Sequence, residues 1–457
     1  MAIYNIHIII ITIAVLVILY KYYIRLNGKI SIFTITSFFC LWYIVYALIG
    51  SAALNCYKFD SEDWDGIYSY GDKIFKVWML TTIGFIGLFV GFTLSHCVHK
   101  KRSLKKYTRI VLSKEIEALP YEVSTHNFKY TFSLFVFSVT VLILYRFAIG
   151  AFPLESIFSG LSRSELNLLR SDATNTFTGR LYLFDMFMKT MPLFLFIVVS
   201  FISSQSNDKK WKIFFYLLLI YNLFFCLITL QKNPIIRFLL VCWIISIFKK
   251  RKINKTQFVG LVVFSVGLII LMYTFFMGMA TDSYPISEIL EGAVHRIFIS
   301  SITPLFWYIK YTDEFGLLYG TTFPNPAGIF PFDHFKLTFI IMEYAHGIQA
   351  SGGSMPTVFI GEMYANFGYI GVIISSVFWG YVLQSLDFFF LKRLSVSKFC
   401  IYSGMYIFMI DYLSGFTISG ISSIITDTRI YLVVILYLIY KKRMTIYKKH
   451  CYELQKN

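Results

Sequence analysis

Charge is scarce in this chain. Only 15% of its 457 residues are Asp, Glu, Lys or Arg, against about 25% in a soluble protein. Proline numbers 10 in all, and no Pro/Ser-rich linker, internal repeat or low-complexity tract divides the chain. The seven cysteines form no CxxC pair and no disulfide spacing, and Cys40, Cys226, Cys242 and Cys400 fall within apolar segments. His96, Cys97 and His99 stand close together at the end of another such segment, a weak metal-binding pattern. P-loop, G-x-S-x-G, H-E-x-x-H and Rossmann glycine patterns are all missing. These absences exclude an ordinary cytosolic protein, a disulfide-stapled secreted domain and the nucleotide-binding folds those motifs mark. Disorder is excluded too, because 48 Phe and 33 Tyr would bury themselves.

What fills the chain is apolar: 57% of its residues are hydrophobic and 19% aromatic. Stretches of spanning length occur at 3–20, 30–53, 77–97, 130–150, 185–203, 213–230, 235–248, 258–278, 366–386, 398–420 and 428–440. The first has no basic n-region and no small-residue cleavage site, so it reads as a span rather than a signal peptide. Lysine and arginine crowd every second loop, from Lys21, Arg25 and Lys29 through Lys100–Lys106 and Lys249–Lys252 to the tail Lys441–Lys449. The alternate loops are neutral or acidic, such as Asp60, Glu62, Asp63 and Asp65. Basic loops face the cytoplasm, so the expectation is an all-α polytopic transmembrane bundle of about eleven spans, one integral-membrane domain over 1–457. Its N-terminus lies outside and its C-terminus inside. The formal charge of +17 is then a topology signal and calls for no nucleic acid.

Two outward segments, 151–184 and 279–365, are long enough to hold chemistry and are expected to carry short interfacial helices. The cytoplasmic loops hold 28 Lys and Arg, six of them Arg; the outer side holds 14, seven of them Arg. The seven are Arg146, Arg163, Arg170, Arg180, Arg237, Arg296 and Arg429. Outward cations run against the topological bias, and the guanidinium is the group that grips phosphate bidentately. As a set they point to a polyanionic ligand on the outer face. Singly, each could snorkel to headgroups.

Three clusters stand out. Ser162 and Glu165 have capping-box spacing, so a helix should start there and place Arg163 and Arg170 on one face. Lys232 and Arg237 flank Pro234 at a tight outer connection, where free helix amides would favour an anion. In the large outer segment, His295-Arg296 precedes a Pro/Gly-rich stretch from Gly320 to Pro331, followed by Asp333 and His334 and then Glu343 and His346. Glu343 and His346 are three apart, so on a helix the carboxylate could orient the imidazole as a general base. Two further features read as structural: Asp63-Trp64-Asp65 as a chance D-x-D, and Asp411, inside a span, as a hydrogen-bonding group of the bundle.

The stretch Gly361-Glu362-Met363-Tyr364-Ala365-Asn366-Phe367-Gly368, with Gly371 beyond it, resembles the G-E-x-Y-x-N-F-G signature entering a late span of Wzy-type oligosaccharide repeat-unit polymerases. The Pro-rich loop before it, the early outer arginines and the eleven-span layout are similar to that family. The loop at Lys232 departs from the Gly-Ser-Arg-Gly pattern of many members. The resemblance implies an undecaprenyl-diphosphate carrier and a glycosyltransferase of O-antigen or capsule assembly. That enzyme would work on the periplasmic face of the bacterial inner membrane, with membrane lipid around it and a chain-length regulator as a further partner. The growing glycan would pass to the incoming lipid-linked unit. Arg163, Arg170, Arg296, Lys232 and Arg237 would hold diphosphate, and His346, Glu343, Asp333 and His334 are the candidates for the base. Glu362, Tyr364 and Asn366 are the motif side chains, and converging cations stabilise a leaving diphosphate without metal or other cofactor. Among the candidate bases His346 is favoured, since Glu343 one turn earlier could fix its tautomer. Two other classes share the layout: another membrane glycosyltransferase, such as an O-antigen ligase, and a lipid-linked oligosaccharide flippase. A flippase would carry charge inside its spans and repeated halves, whereas here the charge collects at the outer rim.

Overall fold

A computed structural model describes residues 5–28, 34–58, 66–99, 125–156, 181–206, 208–228, 232–250, 295–325, 331–347, 354–394, 399–418 and 427–454, with a few single positions between them. Every regular element among the described residues is helical. The main helices begin with α1 (Ile6–Asn27), α2 (Ile35–Cys56) and α3 (Gly71–Val98). Next come α4 (Thr125–Ile149), α5 (Asp185–Gln205), α6 (Lys209–Ile228) and α7 (Lys232–Lys250). The last are α8 (Thr303–Phe315), α9 (Leu337–His346), α10 (Ile360–Leu394), α11 (Phe399–Gly415) and α12 (Thr428–Leu454).

Seven of these, α1 to α6 and α10, are long and apolar enough to cross a membrane. Helices α7, α11 and α12 cover three more of the expected spans. They fall short by that measure: α7 carries Lys232, Arg237, Lys249 and Lys250, α11 has 17 residues, and α12 runs into the basic tail. The expected span 258–278 lies almost wholly outside the described residues. Helix α10 starts at Ile360 rather than 366, so the signature forms its first turns instead of preceding it. Ile6, Ile10, Ile13 and Val17 of α1, and Ile370, Ile374 and Phe378 of α10, stay exposed. Apolar faces of this extent need an apolar solvent, which a bilayer supplies. Within 279–365, α8 and α9 have 13 and 10 residues. At about 1.5 Å per residue neither can span a hydrocarbon core about 30 Å thick.

The chain divides into two compact units. The first comprises residues 1–109, 284–391 and 412–426; the second comprises 110–283, 392–411 and 427–457. In the first unit α3 and α10 approach through glycines. A Cβ on Gly91 would meet the Val377 carbonyl oxygen at 2.1 Å, and one on Gly380 the Leu88 carbonyl oxygen at 2.2 Å. Small residues at a helix crossing exchange side-chain volume for backbone contact, the usual economy of helices in lipid. At the other end of α10 the buried Asp387 accepts from the amides of Ile35 (2.9 Å) and Thr36 (3.0 Å), so its charge rests on the free N–H groups of α2. Nearby, Asn27 and Gln384 exchange amide hydrogen bonds, and His96 Nε2 lies 2.8 Å from Asn27 Oδ1.

The second unit is aromatic-rich, with Trp211 and Phe214 beneath Phe128 and Tyr221 donating to the Met188 carbonyl at 2.8 Å. Helix α5 opens with a π-helical turn over Asp185–Thr190. Such turns are frequent where a side chain is presented for function. The described parts of the first outer segment are 151–156, with the short helix Pro153–Ser156, and Leu181–Phe184; Arg146 pairs with Glu155 of the former.

Candidate functional site

The signature explains itself once α10 is seen to break. Gly368 has φ +60°, ψ −146°, inside the run of α10. A residue with a Cβ avoids that conformation. The break withdraws the amides that would have served the carbonyls of Ala365 and Asn366. Those oxygens accept instead from Leu318 (2.9 Å) and Tyr319 (3.1 Å), in the turn that follows α8. Asn366, wholly buried, adds its side chain: Oδ1 accepts from Gly320 N at 2.8 Å, and Nδ2 donates to Thr322 Oγ1 at 2.7 Å. Thr322 in turn donates to Glu362 Oε1 at 3.0 Å. Glu362 and Asn366 therefore clamp the turn 316–323 onto α10. That turn is bent by Gly316 and Gly320 at φ +85° and +92°, and it holds Tyr319 at φ +47° with its ring 77% exposed.

Tyr364, the third motif side chain, meets a cationic rim. The Lys76 ammonium donates to its phenol and lies 5.1 Å from its ring centre and 5.8 Å from that of Tyr369. Lys76 and Lys73 both bind Asp313, at 3.1 and 2.6 Å. Burial raises the Asp313 pKa, but the two lysines outweigh it and hold the carboxyl below its ordinary value. Lys310, one turn earlier on α8, lies over three rings: Tyr70 at 4.8 Å, Trp307 at 5.1 Å and Tyr344 at 5.8 Å. Burial and a hydrogen bond to Glu314 raise the Tyr344 phenol, which stays protonated and donates to that carboxylate.

The candidate bases separate here. Glu343 and His346 occupy the last turn of α9, both exposed. Asp333 is exposed in the segment before α9. His334, also exposed, has Nδ1 at 3.1 Å from the Phe323 carbonyl oxygen. A carbonyl can only accept, so in the neutral ring Nδ1 carries the proton and Nε2 keeps its lone pair, the form a general base requires. The His334 ring is thus oriented for that role.

In the second unit Arg237 does not stand as a free cation at the start of α7. Its Nε donates to Asp411 Oδ1 at 3.0 Å; its Nη2 donates to Oδ2 and to the Asp411 carbonyl, each at 2.9 Å. The buried carboxylate thus has its partner, with a side chain only 8% exposed against 39% for the arginine. Arg429 is forked onto Asp427 in the same way, through Nε and Nη2. Lys189, in the π-helical turn, feels the charges of Asp185, Arg429 and Arg237. Three cations and three carboxylates therefore gather where α5, α7 and α12 begin and α11 ends. Asp411 and Asp427 each fix one edge of a guanidinium and leave it partly exposed, an arrangement suited to an anion because a carboxylate orients the residue in front of it.

Arg163 and Arg170, with the helix expected from Ser162, lie outside the described residues, as do Asp63-Trp64-Asp65. Arg296 falls in the π-helical turn His295–Ile299 and Lys232 opens α7; their side chains too lie outside the description. Lys73, Lys76, Lys310 and Lys189 were missed in the sequence. Their signal was available: Lys73 and Lys76 share a helix face at i, i+3, and Asp411 and Asp427 need cations in apolar surroundings. No family model matches the chain, nor does any curated protein or solved structure.

Proposed function

We propose that this chain is a membrane glycosyltransferase of the repeat-unit polymerase type, acting on undecaprenyl-diphosphate-linked oligosaccharide at the periplasmic face of the bacterial inner membrane. The observation that carries the reading is the Lys189–Arg237–Arg429 cluster at one end of the second unit's helices, its arginines held by Asp411 and Asp427 and its lysine within the field of Asp185. It supplies what a departing diphosphate needs: donors fixed in advance where negative charge develops. In the step proposed, the acceptor sugar oxygen bonds to C1 of the growing glycan as the C1–O bond to the carrier diphosphate breaks. The electron pair leaves on the diphosphate, and the hydroxyl proton passes to a general base, for which His334 is proposed. Arg163, Arg170, Arg296 and Lys232 are proposed for the diphosphate as well, and the resemblance of the Gly361–Gly368 signature supports the same class.

Deletion of the gene in its own host tests this. The expected surface glycan carries a single repeat unit where the parent strain shows a ladder, and the plasmid-borne chain restores the ladder. A core with no unit at all assigns the chain to ligation or flipping instead.

A further inference from the structure

Around α8 the first unit carries a surface that the proposed reaction does not use. Tyr311 and Phe315, i and i+4 on α8, lie 4.6 Å apart at 33°, and Tyr344 of α9 meets both edge-on at 5.4 and 6.0 Å. Phe315 is nevertheless 64% exposed. Polar groups interleave with the rings: Glu314 accepts from the Tyr344 phenol, and Lys310 hangs over Tyr344. The surface is continuous with the candidate base, because Tyr311 also packs on Phe335, the neighbour of His334, at 6.3 Å.

We infer that this surface is a saccharide subsite, with Phe315 and Tyr311 stacking on the apolar C–H face of a pyranose and Glu314 and Lys310 binding its rim hydroxyls. A sugar ring presents that combination, one apolar face within a belt of donors and acceptors, and rigid aromatic side chains supply contact area at little entropic cost. Polar groups placed beside the rings fix which hydroxyls are accepted. The other occupant such rings suggest is the headgroup layer of the bilayer, whose anchors are aromatics with snorkelling lysines. The lysines here do not reach outward: Lys73 and Lys76 are folded onto Asp313, with side chains 16% and 21% exposed. On α8 the exposed charged groups are the carboxylates Asp313 and Glu314, and the Glu314 carboxylate is one that anionic headgroups repel. The inference rests on the reading above in one respect only, that the sugar belongs to a lipid-linked oligosaccharide.

The test uses the full chain in nanodiscs and, as probe, the one-repeat fraction, separated by size, of the oligosaccharides that mild acid releases from the surface glycan of the host. Saturation-transfer NMR should show protein contact on one face of a sugar ring. Phe315→Ala and, separately, Glu314→Gln should each weaken binding about tenfold, the scale of one lost aromatic or charged contact. Both residues are exposed, so thermal stability should not move. Unchanged affinity in both variants overturns the subsite, as does a stability loss in lipid with binding intact, which would make the rings an interfacial anchor. The two readings fail separately. Absence of oligosaccharide binding alongside a single-unit glycan in the deletion strain sinks the subsite and keeps the polymerase. Binding that Phe315→Ala weakens, alongside a normal ladder in the deletion strain, does the reverse.

Discussion

Removing Arg237 should have two consequences that a double variant can pull apart. Its guanidinium makes three contacts of 2.9–3.0 Å with Asp411, whose side chain is 8% exposed. Arg237→Ala leaves that carboxylate desolvated and without its fork. Breaking a buried pair from one side costs about 3–5 kcal/mol. Because the arginine side is 39% exposed and water reaches it, the lower end, about 3 kcal/mol, is expected. Replacing both partners by apolar residues of similar shape, Arg237→Met with Asp411→Leu, removes the stranded charge and should recover most of the loss, since apolar replacement of a whole pair is often neutral. Activity should not follow stability. If Arg237 also meets the diphosphate, the double variant folds but makes polymer at least about tenfold more slowly, the scale of one charge-assisted contact. The assays are inactivation half-life of detergent-purified protein, suited to irreversible unfolding, and glycan chain length in a complemented deletion strain. A double variant as unstable as Arg237→Ala would refute the stranded-charge account. A stable double variant with wild-type chain length would confine the pair to a structural role.

His334→Ala should lower the single-turnover rate by about 10²–10⁴, whereas His346→Ala and Glu343→Gln leave it near wild type; the opposite order returns the base to α9. Gly380→Ala should destabilise the first unit by about 1–3 kcal/mol, because its Cβ would meet a backbone oxygen that cannot turn aside; thermal inactivation checks this, and a neutral result means that the α3–α10 crossing is looser than described. Asp313 has a depressed folded pKa, so its stabilisation is present above the unfolded value of about 3.9 and is lost as pH falls through the folded one. Inactivation measured from pH 6 to pH 3 should show that extra acid sensitivity in wild type and not in Asp313→Asn.

Helix positions were legible because a hydrocarbon solvent demands long apolar runs, and α1 to α6 and α10 coincide with expected spans. Asp411 was legible as a bonded group for the same reason: a carboxylate in that setting must find partners. Its partner was not, since Arg237 lies 174 positions away in sequence, and Lys73 and Asp313 are 240 apart. Nothing local announces such pairings. The signature was recognisable as a pattern, but its physical content was not. That Asn366 and Glu362 bind a turn near position 320 follows only from the break at Gly368, whose left-handed backbone leaves no mark in the sequence beyond a glycine. The orientation of the His334 ring rests on one backbone carbonyl, that of Phe323, which sequence spacing cannot place.

The balanced charges of Lys189, Arg237, Arg429, Asp185, Asp411 and Asp427 bear on turnover. A cluster with equal numbers of cations and anions exerts little field at a distance, so an anion is drawn in by close hydrogen-bond geometry and not by long-range attraction. If the proposed function holds, a chain that must discharge a lipid diphosphate after every bond it makes would gain from this. Purely cationic surroundings would retain the spent carrier, and the next lipid-linked unit would wait behind it. With carboxylates standing behind the guanidiniums, a diphosphate would be held while it lay in register with the fork and repelled once it slipped, so that the side chains proposed to assist departure would also favour release.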